Sequence, residues 1–214
     1  MKKIVAVIVV LFLCLPGSSQ ERLFKYRGLS SVGVKLSELS SIKVFELHYY
    51  TPKTGHTSLS LYGDFTEEFK VAKWLKAGVK GRLVSIKGYD GWRLEQRPMV
   101  YGNITKPLGD IQMKFNNRME YMIAKKRDNY FRHRQALSVE LPFYYLTWLK
   151  LFATEESFYC FNAEKLNRGR LSSGTIIQCN NYLQMKVFYM FDKKKTDNLW
   201  QNSDLFSLQL YVDF

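Results

Sequence analysis

Three cysteines, five prolines and three histidines in 214 residues leave several protein classes without raw material. So few cysteines exclude a disulfide-built scaffold. No cluster of His, Cys, Asp or Glu has metal-ligand spacing, and no glycine-rich loop is arranged to cradle a phosphate. No metal and no cofactor is called for. Acidic residues are also scarce, with 19 Asp and Glu against 32 Lys and Arg, for a formal charge of +13. Beyond residue 19 no segment approaches the roughly 18 unbroken apolar residues of a membrane-crossing helix. A membrane location would therefore have to be reached through a closed sheet, because hydrocarbon cannot hydrate backbone amides.

What the chain does have begins at its start. Lys2 and Lys3 form a short basic head, Ile4 to Leu15 is apolar, Pro16 breaks the run, and Gly17-Ser18-Ser19 supplies small residues. This pattern is a secretory signal peptide over residues 1–19, cut after Ser19. Cys14 follows Leu13, where lipid attachment would need a small residue. The mature domain spans 20–214, with no low-complexity linker or shift in composition to mark a second domain. Losing Lys2 and Lys3 takes the charge from +13 to +11. An exported basic chain rarely meets nucleic acid, so none is expected as a partner. The charge suits a lumen, a lipid-phosphate surface, a small anionic solute, or simply a basic exterior.

The last ten residues carry the clearest periodicity. Phe206, Leu208, Leu210, Val212 and Phe214 fall on one face, with Ser207, Gln209, Tyr211 and Asp213 on the other. Similar alternation recurs upstream. Gln112, Lys114, Asn116, Arg118 and Glu120 oppose Met113, Phe115, Met119 and Tyr121, with Asn117 as the exception. Lys76, Gly78, Lys80 and Arg82 oppose Leu75, Ala77, Val79 and Leu83. A charged face repeated on strand after strand suits a sheet whose apolar side meets lipid and whose polar side lines an interior.

Turn-forming residues separate these segments at Ser37 to Ser40, Pro52 to Gly55, Gly88 to Gly91, Pro107 to Asp110, Lys125 to Asn129, Ala163 to Asn167, Asn180-Asn181 and Lys193 to Ser203. Asp64 to Gly78 has helix-capping features, yet alternation on both sides favours two strands around a turn at Lys70 to Trp74. Pro98 requires a bulge or local break. The fold class is all-β, an antiparallel up-and-down transmembrane barrel of 10–12 strands. Eleven segments can be counted from Phe24 to Leu36 onward. Because bacterial barrels normally have even numbers, the expectation is that ten or twelve close. Cys160 and Cys179 fall at opposite ends of neighbouring strands and should remain free thiols.

The export signal together with a closing strand ending in Phe214 resembles a bacterial outer-membrane barrel. More specifically, Asn117-Arg118-Met119-Glu120, Arg132-His133-Arg134, Leu151 to Phe158, Asn167-Arg168, Gly174 and Trp74 to Gly78 resemble domain of unknown function 2490. That is an uncharacterised outer-membrane barrel family common in Bacteroidetes, and the resemblance covers about Thr66 to Phe214. It implies a Gram-negative outer-membrane location, contact with outer-membrane lipid, and recognition of the terminal strand by barrel-assembly machinery. It implies no reaction and no catalytic residue.

Two constellations could carry function. Arg82, Arg93, Glu95, Arg97, Arg118, Glu120, Arg132, Arg134, Glu140 and Glu156 are placed to form a lumen charge network, since opposite charges on adjacent strands pair. Such a network can fill the interior, guide anions, or hold a ligand or plug. His56 and Ser58 share a strand face, so an imidazole could activate the hydroxyl if a carboxylate such as Glu46 or Glu68 oriented it. That would resemble a lipid A deacylase. Tyr49, Tyr50, Tyr144, Tyr145, Trp148 and Trp200 lie near strand ends and could form interfacial girdles or ordinary strand packing. The leading expectation is a non-enzymatic barrel with a structural, small-pore or scaffold role. The alternatives are the lipid-modifying enzyme and a soluble periplasmic ligand-binding β-protein. Short loops argue against an adhesin or a large receptor.

Overall fold

The computed structural model describes residues 22–88, 91–124, 128–143, 145–163, 165–196 and 199–214. The expected signal peptide lies outside these residues. Eleven strands follow one another: β1 (Leu23–Lys35), β2 (Ser40–Thr51), β3 (His56–Ala72), β4 (Leu75–Gly88), β5 (Gly91–Leu108), β6 (Ile111–Ala124), β7 (Tyr130–Phe143), β8 (Leu146–Cys160), β9 (Lys165–Gln178), β10 (Leu183–Thr196) and β11 (Leu199–Asp213). Each pairs with its sequence neighbours, and β1 closes on β11 to complete a barrel. Strands of 12 to 18 residues exceed the roughly 9–11 that cross a bilayer.

Closure corrects the expectation of an even number. Successive hairpins reverse direction, so an eleventh strand runs the same way as the first. The β1–β11 seam is accordingly parallel, with Gly28 opposite Leu208 and Ser30 opposite Leu210, while the other ten pairings are antiparallel. All eleven segments, the first included, are members of the wall. The same geometry sends Leu23 and Phe214 to opposite ends of the barrel.

Local sequence explains the turns. Gly55 adopts φ 61° after the short 3-10 turn Pro52–Thr54, a left-handed conformation that a side chain would disfavour. The Asn180 side-chain oxygen accepts hydrogen bonds from the backbone N–H of Tyr182 and Leu183, both at 2.8 Å, which fixes the β9–β10 connection. The ambiguous stretch from Asp64 to Gly78 is two strands, joined by a turn at Lys73-Trp74. Pro98 pairs with Gly81 on β4, whereas the β5–β6 ladder skips Arg97 and Pro98 without a register shift. The missing proline donor thus produces a local break.

Two connections differ from the punctuation in the sequence. The polar stretch Lys193 to Ser203 is mostly strand, because β10 runs to Thr196 and β11 begins at Leu199. The β7–β8 turn lies between Phe143 and Leu146, where aromatic residues give no turn signal.

The interior has two sectors. Phe152, Ile176, Phe188, Met190 and Leu205 form an apolar cluster on β8 to β11, joined by Tyr49 from β2. Gly174 permits this packing: an added Cβ would lie 2.6 Å from both Cα and Cβ of Phe188. The Phe152 and Phe188 rings meet edge to face at 5.7 Å. The remaining sector is charged.

Candidate functional site: a basic barrel interior

Inward positions on β3 to β10 carry the charge because each is two residues from the next on its strand. On β4 the inward row includes Lys80 and Arg82; Arg82 forms a fork on Asp64 of β3, with both N–O distances 2.7 Å. Lys80 adds a 3.4 Å contact to the same carboxylate. On β5, Arg97 pairs with Glu95 at 2.5 Å. Glu120 on β6, 1 % exposed, receives Arg132 Nε at 2.8 Å and also pairs with Arg118. Lys114 and Glu140 join β6 to β7 at 2.5 Å.

The network continues as a chain across four strands. Arg134 on β7 pairs with Glu156 on β8, and Glu156 accepts from Arg170 on β9 at 3.3 Å. Arg170 also reaches Asp192 on β10 at 3.4 Å, while Arg168 Nε donates to Asp192 at 2.7 Å. Phe158 lies among four guanidiniums, with Arg132, Arg134, Arg168 and Arg170 at 5.1 to 5.8 Å from its ring centroid. Such contacts favour cations held against an aromatic face where water is excluded.

The residues of the sequence-derived network occupy inward positions, and all of them but Arg93, whose Nε is buried without a partner, are ion-paired among the described residues. Arg93 shares the inward face of β5 with Glu95 and Arg97. The structure adds Asp64, Lys80, Arg168, Arg170 and Asp192. Their alternation was visible on the individual strands; the cross-strand register that brings them together was not.

A cavity of about 620 Å³ lies inside the barrel, lined by ten Lys or Arg residues and two Asp or Glu residues. Lys186 Nζ sits 3.7 Å from the centroid of Phe152, and Arg27 lies over Tyr49 at 5.8 Å. Arg118 and Arg134 are direct cross-strand partners despite their like charge. Nε of Arg134 and Nε of Arg27 are buried without a hydrogen-bond partner among the described residues. The arrangement is chemically suited to an anion with several acceptor oxygens.

His56 and Ser58 do share a face, and both line the interior cavity. The two carboxylates considered for them are elsewhere. Glu46 is on the outward face of β2, bonded to His48, and Glu68 pairs with Lys76 at 2.6 Å near the other end of β3. Of the aromatics expected near strand ends, Tyr50, Tyr145 and Trp148 are exposed. Tyr49 instead points into the cavity, because it follows the inward row of Phe45 and Leu47. Tyr144 lies outside the described residues. Cys160 is buried and Cys179 exposed, and both are free.

The outer surface has the opposite character. Phe24, Tyr26, Trp92 and Phe131 crowd the end near Leu23; Phe69, Trp74, Trp148 and Phe214 crowd the other, and all are exposed. Between them stand exposed Val44, Leu61, Leu83, Val100, Leu137, Leu208 and Leu210. Fold and site together define a closed β-barrel with paired, predominantly basic charge inside and a largely apolar exterior. The chain belongs to the family described as protein of unknown function (DUF2490), whose sequence model matches residues 45–203. The match begins upstream of Thr66, where the sequence landmarks start, and stops short of the apolar positions of the closing strand. No match is found among curated proteins or among solved structures.

Proposed function

We propose that this barrel resides in the outer membrane of a Gram-negative cell and that its interior is a narrow basic passage for small anions. The observation that carries the reading is the inversion of the two faces: exposed apolar side chains outside, buried ion pairs inside. Lipid stabilises the first and a confined interior tolerates the second. The excess of Lys and Arg around the cavity favours anions over cations. In this reading β11, ending at Phe214, is the segment presented to barrel-assembly machinery, and the charge network also fills and stiffens the wall.

Fractionation and conductance test it. The expected protein stays with outer membranes through a carbonate wash and shifts its gel mobility on boiling. In planar bilayers under a salt gradient it passes anions preferentially, and Lys186→Gln moves the reversal potential toward zero. Release by carbonate without a mobility shift would instead mean a soluble periplasmic β-protein.

A further inference from the structure

The cations of the interior are not all paired. Every arginine that lines the cavity from β4 to β9 has a carboxylate partner. Arg27 on β1 and Lys186 on β10 line the same cavity and pair with no carboxylate among the described residues. Lys25 is likewise unpaired, one inward position nearer the Leu23 end. The carboxylates whose charge reaches Lys186, Glu140 and Glu156, are already held by Lys114 and by Arg134 with Arg170. Arg27 and Lys186 flank β11 at successive inward positions, Arg27 opposite Ser207 and Lys186 opposite Gln209. Aromatic rings surround both. Lys186 Nζ is 3.7 Å from the Phe152 centroid and 5.6 Å from that of Phe188, and Arg27 lies over Tyr49 with its Nε buried and unpartnered. From there the apolar cluster continues along the same wall through Phe188, Met190 and Leu205. The two interior sectors meet at this point.

We infer that Arg27 and Lys186 form a binding site for an organic carboxylate, its acid group held between the two cations and its apolar body laid against Phe188, Met190 and Leu205. This rests on the reading of the interior as an anion passage and names the anion that the passage selects. A charge held in a confined interior without a counter-charge is costly, and the ligand's carboxylate supplies what the wall omits here. The arginine fork takes both carboxylate oxygens. Gln209 stands between the cations with its amide fixed, donating to Ser207 Oγ at 3.3 Å and accepting from the Tyr211 hydroxyl. One amide hydrogen of Gln209 remains for the ligand. A small inorganic anion would shed its water beside an apolar wall that gives it nothing in return. A neutral apolar molecule would leave both cations uncompensated. A molecule with an acid end and an apolar end meets both demands, and the cavity of about 620 Å³ has room for one.

Equilibrium dialysis of the folded, detergent-extracted protein against naphthoate tests the site, with acetate, inorganic phosphate and naphthalenemethanol as competitors. Naphthoate is expected to bind, and each competitor should need a concentration roughly tenfold higher or more to displace it, since each lacks one of the two ends. Arg27→Gln combined with Lys186→Gln should weaken naphthoate roughly tenfold or more. Lys193→Gln, which removes a charge from an exposed position of β10, should leave the affinity unchanged. Acetate, phosphate or naphthalenemethanol competing as well as naphthoate would overturn the inference, and so would unchanged affinity in a double variant that keeps its heat-modifiable mobility. Should the double variant fail to fold, the competitor series on the unaltered chain decides alone. Anion-selective conductance without a preference for naphthoate defeats the site and leaves the passage standing. Naphthoate binding without anion-selective conductance keeps the site and defeats the passage.

Discussion

On β11 the same backbone serves two opposite surroundings. Phe206, Leu208 and Leu210 are 45 %, 44 % and 38 % exposed, while their immediate neighbours Ser207 and Gln209 are 0 % and 4 % exposed. A globule in water does the reverse, hiding its leucines and displaying its glutamines. The contrast extends round the barrel, with Asp64, Glu95, Glu120 and Asp192 buried and a crowd of aromatic and branched side chains outside. Burial here reports distance from the barrel axis, and polarity reports the solvent each face was built for.

The largest break in this comparison comes from the inside. Glu120→Leu leaves Arg118 and Arg132 without the carboxylate they share, and should cost about 3–5 kcal/mol. The measurement is the urea midpoint of the barrel folded in lipid vesicles. Adding Arg132→Leu should recover part of the loss, because one stranded charge is removed. If the exterior meets lipid as proposed, Leu208→Arg should cost roughly 2–4 kcal/mol where the side chain sits near the bilayer midplane, and Gln209→Arg distinctly less. Equal losses at these adjacent positions would contradict the assignment of faces.

A smaller effect probes the boundary between the two interior sectors. Gly174→Val forces Phe188 to move and should cost about 1–3 kcal/mol, read from the same unfolding curve. Smallest is the redox test. Cys160 and Cys179 lie at opposite ends of β9's length, so oxidation should leave the monomer's mobility unchanged with and without reductant. An oxidised monomer that runs faster would mean the strand register is wrong.

Much of this was legible in the chain because a strand's side chains alternate with a period of two. Leu208 and Gln209, or Phe115 and Lys114, take opposite faces whatever lies beside them. Asn180 and Gly55 mark turns by chemistry that needs no tertiary context. Pairing is another matter. Asp64 and Arg82 are distant in sequence, and only the β3–β4 register makes them a fork. Glu46 was available to His56 on paper, but a position of opposite parity to Tyr49 turns it to the exterior and to His48. The Phe143–Leu146 turn carried no glycine or asparagine, so its place follows from the strands it joins.

The sequence by itself determined most of the strand segments, their two faces and the basic surplus, because alternation, turn chemistry and charge are local properties. Tertiary structure alone decided that eleven strands close, that β1 and β11 run parallel, and that the inward charges assemble into chains such as Arg168, Asp192, Arg170, Glu156 and Arg134. The physical reason is that closure and register are set by hydrogen bonding between strands, and no single segment contains both partners.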